Sequence, residues 1–114
     1  MAIDFEDVNE QLRIISLSGR LDIAGTSEIE LKFTTLSTVT SKRVVVDLTS
    51  ISFLASIGIR ALITNAKALQ QRGGKMVLFV GDNAVVAKTL EMTGIDVLIP
   101  MFTDTVEAQK EALA

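Results

Sequence analysis

The stretch Phe53-Leu54-Ala55-Ser56-Ile57-Gly58-Ile59 is apolar except for one hydroxyl. The run before it, RVVVDLTSISF, reads as a buried strand leading into a loop, and IGIRALITNAKALQQRGG reads as a helix. Ser56 therefore falls where a strand hands over to a helix, and three chemistries are open to it. As a helix cap, its oxygen would accept a backbone N–H two or three residues on, worth about 1 kcal/mol. As a nucleophile it would need an adjacent base. The chain has no His, so no Ser-His triad is possible, and the S-x-x-K spacing is absent at Ser56, where Arg60 lies at i+4. As a phosphate acceptor it would sit where free N–H groups and the helix dipole favour negative charge. Neither G-x-x-x-x-G-K-[ST] nor G-x-G-x-x-G occurs, so no glycine-rich nucleotide loop is present.

Other polar groups offer less. Asp4, Glu6, Asp7 and Glu10 lack the spacing of a metal loop and read as a solvated face. No Cys occurs, which excludes disulfides and thiolate metal sites. On the helix after Ser56, Gly58, Ala61, Asn65 and Ala68 lie off the main apolar stripe. Small residues on an outer face would let a partner approach closely.

The elements that must position Ser56 follow from periodicity. Ile3 and Phe5 alternate with Asp4 and Glu6, and Leu12 to Leu17 makes a second strand after a turn at Asn9 to Gln11, so a hairpin is expected. Thr26 or Ser27 can cap a helix carrying Ile29, Phe33 and Leu36 on one face. Arg43 to Leu48 is Val-rich without alternation, as in a central strand covered on both faces. The helix after Ser56 shows an apolar stripe of Ile59, Leu62, Ile63, Ala66 and Leu69 and stops at Gly73-Gly74. Lys75 to Val80 is another buried strand; Gly81-Asp82-Asn83 turns into AVVAKTLEM, ended by Gly94. Val97 to Pro100 is expected as a short edge strand, because proline cannot donate to a ladder. Thr103 or Asp104 caps a last helix, TVEAQKEAL.

The expected order is β-β-α-β-α-β-α-β-α: an α/β fold with a mixed, mainly parallel sheet of about five strands and about four helices. The 114 residues, 48% of them hydrophobic, suit one domain over 1–114 with its own core. A net charge of −3 without a basic run disfavours nucleic acid. No apolar run approaches the roughly 20 residues of a membrane span. The acidic start MAIDFEDVNE lacks a signal-peptide layout, so a cytoplasmic protein is expected.

VVVDLTSISFLASIGIRALI resembles the signature of STAS domains, above all the bacterial anti-sigma factor antagonists. That signature is a hydrophobic strand, Asp or Asn, Leu, a short gap, Phe-Met-Asp-Ser-Ser/Thr-Gly and a helix. Asp47-Leu48 and Phe53-Leu54-Ala55-Ser56-Ile57-Gly58 stand in those places. Gly19-Arg20-Leu21-Asp22 resembles the family's Gly-x-Leu/Ile-Asp. Gly73-Gly74-Lys75-Met76-Val77-Leu78 and Leu90-Glu91-Met92-Thr93-Gly94-Ile95 are similar to later family segments, in order along nearly the whole chain.

The resemblance implies a non-catalytic partner switch without a cofactor. The unmodified antagonist binds an anti-sigma factor that is also a serine kinase. Phosphorylation of the serine matching Ser56 parts the complex, and a PP2C-type phosphatase restores the free form. Asp22, Ala55, Ser56, Ile57, Gly58, Arg60 and Ala61 are the residues expected at the partner surface, with Asp47 ordering the loop below Ser56. Two positions depart from the pattern: the family's Asp is Ala55, and its second hydroxyl is Ile57. Both changes make the loop more apolar. The rival reading keeps the fold but changes the output, to a scaffold or a nucleotide- or ligand-sensing module acting on a non-sigma target.

Overall fold

Alternate residues of one strand feed two different cores. In a computed structural model describing residues 2–114, Val44 and Val46 of strand β3 (Arg43–Leu54) pack on one side of the sheet, and Val45 packs on the other. The period-2 geometry of a strand makes this split automatic. It explains why the run shows no polar alternation: both faces are covered.

The sheet has five strands in the order β1-β2-β3-β4-β5: β1 (Ala2–Asp7), β2 (Leu12–Leu21), β3, β4 (Lys75–Phe79) and β5 (Met101–Phe102). β1 runs antiparallel to β2, and the remaining pairs are parallel. The expected hairpin and mixed sheet are therefore present. Asn9 holds the hairpin turn, its Oδ1 accepting from the Gln11 and Leu12 amides at 2.8 and 2.9 Å.

Helices α1 (Ile23–Ser37), α2 (Ser56–Gln71) and α3 (Ala84–Thr93) cover the larger core. They bury Ile29, Phe33, Leu36, Ile59, Leu62, Leu69, Val86 and Leu90 against Ile15, Leu17, Leu48 and Leu78. The opposite face is covered by the C-terminal helix α5 (Thr105–Leu113), whose Ala108 and Ala112 meet Leu12, Val45 and Val77. Asp104 caps α5, accepting the Glu107 amide at 3.0 Å, so of the two expected caps it is Asp104 that serves.

Several expectations about elements need correction. Val97 to Pro100 is not a strand. Ile95–Leu98 forms a one-turn helix, α4, bringing the helices among the described residues to five, and the edge strand begins at Met101. Ile95 is fully buried and anchors that turn, while Val97 and Leu98 point outward. A four-residue apolar run carries no periodicity to tell the two forms apart. Pro100 flanks the edge strand, its carbonyl accepting the Leu78 amide at 2.8 Å. The start of α1 also moves: its cap is Asp22, not Thr26 or Ser27. β3 runs on to Leu54, six residues beyond the expected end at Leu48.

Candidate functional site

The extension of β3 builds the site. Its pairing with β2 slips twice, between Ser16 and Ser18 and between Gly19 and Arg20. Each slip gives β3 one extra residue, a bulge that bends and re-aims the strand. Bulges strand main-chain groups that the ladder would otherwise satisfy, and side chains take them up. Asp47 Oδ1 accepts from the Thr49 amide at 2.9 Å and from its hydroxyl at 2.7 Å. Asn83 Nδ2 reaches the Leu48, Thr49 and Ile51 carbonyls at 3.0, 3.3 and 2.8 Å. The same Asn83 caps α3 through Oδ1 and the Val86 amide, 3.4 Å away. One residue thus ties α3 to the irregular part of β3.

Beyond the second bulge, Arg20 pairs with Phe53 and Leu21 with Leu54. The Ala55 amide then donates to the Leu21 carbonyl at 3.0 Å, and α2 begins. Ser56 is the first residue of that helix. The N-cap position belongs to Ala55, whose extended backbone carries no side-chain acceptor. Ser56 Oγ makes no hydrogen bond among the described residues, and the residue is exposed. The capping role that its place in the sequence offered is therefore not used.

Asp22 lies on the neighbouring strand end. Its Oδ1 accepts the Gly25 amide at 2.8 Å, and its Oδ2 accepts from Arg20 Nε at 3.3 Å. The Gly25 hydrogen bond holds its carboxyl below the ordinary value; desolvation opposes it, and the Arg20 guanidinium adds a further lowering. Arg20 also lies over the Phe53 ring, 4.3 Å from its centroid. Phe53 and Ile23 are 40% and 74% exposed, so the rim of this end is apolar.

Of the residues expected at a partner surface, Ser56 and Arg60 are exposed, while Asp22, Ala55 and Ile57 are half-buried. Gly58 and Ala61 are inside the protein. A Cβ at Gly58 would lie 2.9 Å from Leu21 Cβ and 3.1 Å from Leu54 Cδ1. Asn65 faces α1, where Ser37 Oγ donates to its Oδ1 at 3.4 Å, and its Nδ2 donates within α2 to the Ala61 carbonyl at 2.8 Å. Three residues of the expected outer stripe, Gly58, Ala61 and Asn65, are thus buried rather than on a free face. Asp47 orders Thr49 and makes no bond to Ser56. Arg20, Ile23, Phe53 and Asn83 are the residues that sequence reasoning passed over. Asn83 looked like an ordinary turn residue, and only the sheet shows what it spans.

The STAS domain model matches residues 6–108. The chain belongs to the STAS domain family. Among solved structures, this STAS domain superimposes on an anti-sigma factor antagonist from Mycobacterium paratuberculosis with a TM-score of 0.86 at 19% identity, covering 99% of this chain and 94% of that one. It matches the anti-sigma factor antagonist SpoIIAA in its unphosphorylated form at TM-score 0.76 and 19% identity, over 99% and 98% of the two chains. The phosphorylated form of SpoIIAA, a Bacillus cell fate determinant, matches at 0.66 and 20%, over 98% and 96%. The fold also occurs inside the murine Solute Carrier 26 family member A9 anion transporter, at TM-score 0.73 and 17% identity, where 90% of this chain matches 18% of that one. At these identities the likeness is one of fold. In the described part of this STAS domain no helix is long and apolar enough to cross a membrane.

Proposed function

We propose that this STAS domain is a partner-switch regulator of the anti-sigma factor antagonist type, binding an anti-sigma factor with serine kinase activity and released by phosphorylation of Ser56. The observation that carries this is Ser56 itself: exposed, without a hydrogen-bond partner among the described residues, and placed at the first turn of α2 beside the apolar rim of Phe53 and Ile23. A serine that caps nothing is free to be modified without dismantling the helix it begins. A phosphate there would add about −1.5 to −2 charges. The N-terminal dipole of α2 tolerates that charge, so the modified protein stays folded. A partner seated on the same apolar rim would have to strip water from the dianion, which is costly. Phosphorylation therefore separates the partners and leaves the domain intact. A PP2C-type phosphatase returns it to the binding state. The resemblance to SpoIIAA, solved in both unphosphorylated and phosphorylated forms, supports the same reading. The chain acts here as a binding protein and leaves the chemistry to kinase and phosphatase.

The partner surface comprises Asp22, Ala55, Ser56, Ile57 and Arg60, with Arg20, Ile23 and Phe53 added. Gly58 and Ala61 support it from within, and Asp47 with Asn83 fixes the bulged strand beneath. Peptide mass spectrometry of the protein isolated from its own cells tests the modification. A phosphate on Ser56 is expected, lost in a Ser56→Ala strain. Affinity capture then tests the switch. Ser56→Ala retains a histidine-kinase-like ATPase partner, whereas Ser56→Asp releases it. Equal capture by the two variants would sink the electrostatic switch.

A further inference from the structure

A second site lies at the other end of α2. A cavity of about 390 Å³ opens between the C-terminal half of α2, the starts of β3 and β4, and the α4–β5 connection. Its size falls within the range of small-molecule pockets. Ile63, Ala66, Met76, Leu98, Ile99 and Pro100 give it apolar walls. Leu98 is 62% exposed at its mouth.

Its charged lining has one sign. Arg43, Lys67 and Lys75 line it, together with Gln70, and no carboxylate among the described residues does. Two of the three cations are already engaged. Arg43 donates to the main-chain oxygens of Ala112 and Ala114 at 3.3 Å, and Lys75 Nζ meets Glu111 Oε2 at 2.6 Å. Lys67 is exposed and has no ion-pair or hydrogen-bond partner among the described residues. An apolar slot with one uncommitted ammonium beside it is complementary to a small amphipathic anion. The apolar part buries aliphatic surface, and the anionic head meets Lys67.

The geometry points to this cavity as a binding site for a small amphipathic monoanion of the aliphatic carboxylate class, anchored by Lys67. The site lies about three helical turns along α2 from Ser56 and shares no residue with the partner surface. It is thus independent of the switch reading.

The test uses the full chain, ¹⁵N-labelled and titrated with sodium octanoate below its micelle-forming concentration. Amide shifts should saturate around Ile63, Ala66, Lys67, Met76 and Ile99, with Kd of about 1 mM. Octyl glucoside supplies the tail without the charge, and inorganic phosphate the charge without the tail. Each should bind at least about tenfold more weakly. Lys67→Glu, at an exposed position, should weaken octanoate by a similar factor while the rest of the spectrum is unchanged. Ala66→Phe, which fills the slot without altering charge, should abolish binding. Shifts that fail to saturate, octyl glucoside matching octanoate, phosphate binding as well as octanoate, or Lys67→Glu binding normally would each overturn the assignment.

Discussion

Two helices of this domain start side by side at the same end of the sheet, and they are held by opposite means. α1 begins Asp22-Ile23-Ala24-Gly25, and α2 begins Ala55-Ser56-Ile57-Gly58. Each has its cap position followed three residues later by a glycine. In α1 the cap is a carboxylate bonded to the Gly25 amide. In α2 it is a methyl group that accepts nothing. The α2 start is fixed instead by the backbone, Ala55 N–H to Leu21 O, and by the close seating of Gly58 on Leu21 and Leu54. The first helical residue differs in the reverse sense: Ile23 in α1, Ser56 in α2. Capping and the serine hydroxyl have thus been separated. The polar group that holds a helix lies on α1, and the polar group offered to solvent lies on α2 and holds nothing.

The strongest way to break this comparison is to attack the glycine each start depends on. A Cβ at Gly25 would overlap the Arg20 carbonyl oxygen, and backbone cannot move aside cheaply. Gly25→Ala should cost about 3 kcal/mol, seen as a lowered urea midpoint. At Gly58 the obstruction is softer, 2.9 to 3.1 Å to Leu21 and Leu54 atoms. Alanine also gains up to about 1 kcal/mol of helix propensity there. A net loss of about 1 kcal/mol is expected. A stabilised Gly58→Ala variant would show that α2 is not seated by close packing.

The same stretch shows what could be read in advance. The strand-to-helix handover at Ser56, the order of elements along the chain up to α3 and the helix stripes follow from hydrophobic period, which reflects burial directly. The split of duties between Asp22 and Ser56 does not. Asp22, Thr26, Ser27 and Ser56 are all competent caps by type, and which one serves depends on where each strand ends. β2 continues to Leu21 and β3 to Leu54 because the two pair across two bulges, and pairing is a property of both strands together. Asn83 was illegible for the same reason: its three acceptors lie more than thirty residues away in sequence. The α1–α2 contact between Ser37 and Asn65 likewise needs both helices to be in place.

Removing the α1 cap sharpens the comparison through pH. The Asp22 carboxyl is held below its ordinary value of 3.8, mainly by the Gly25 amide and then by Arg20. The folded state thus binds a proton at Asp22 less readily than the unfolded chain. The stabilisation is complete above the ordinary carboxylate value and is lost as pH falls through the lowered one. Asp22→Ala should lower Tm by about 4 °C at pH 7. The gap from wild type should close as the medium is taken below the native Asp22 value. A gap that persists unchanged in acid would mean that Asp22 acts through packing, not as a charged cap.

The converse change gives α2 what α1 has. Ala55→Asp places a carboxylate at an N-cap whose backbone is already extended, so the gain should be up to about 1 kcal/mol. The introduced carboxylate would also stand one residue from Ser56, with its negative charge directed at the same amides a phosphate would approach. Phosphorylated protein should therefore gain less stability in Ala55→Asp than unmodified protein does. Thermal melts of the four species measure that difference. Equal gains would mean that the two anions do not share the start of α2.

The smallest expected effect decides the most. Ser56→Ala removes an exposed hydroxyl that has no partner among the described residues, so stability should change by less than about 0.5 kcal/mol. A serine that capped α2 would lose about 1 kcal/mol on the same change. Denaturant melts resolve these two values. Running Ser56→Ala in the Ala55→Asp background adds a control. If Ser56 supplies a hidden cap, the substitution should be costly in the wild-type chain and harmless once the introduced carboxylate caps the helix. If the hydroxyl is structurally idle, it should be harmless in both. A near-zero cost in both backgrounds leaves Ser56 without structural work on α2, which is what a residue reserved for modification requires.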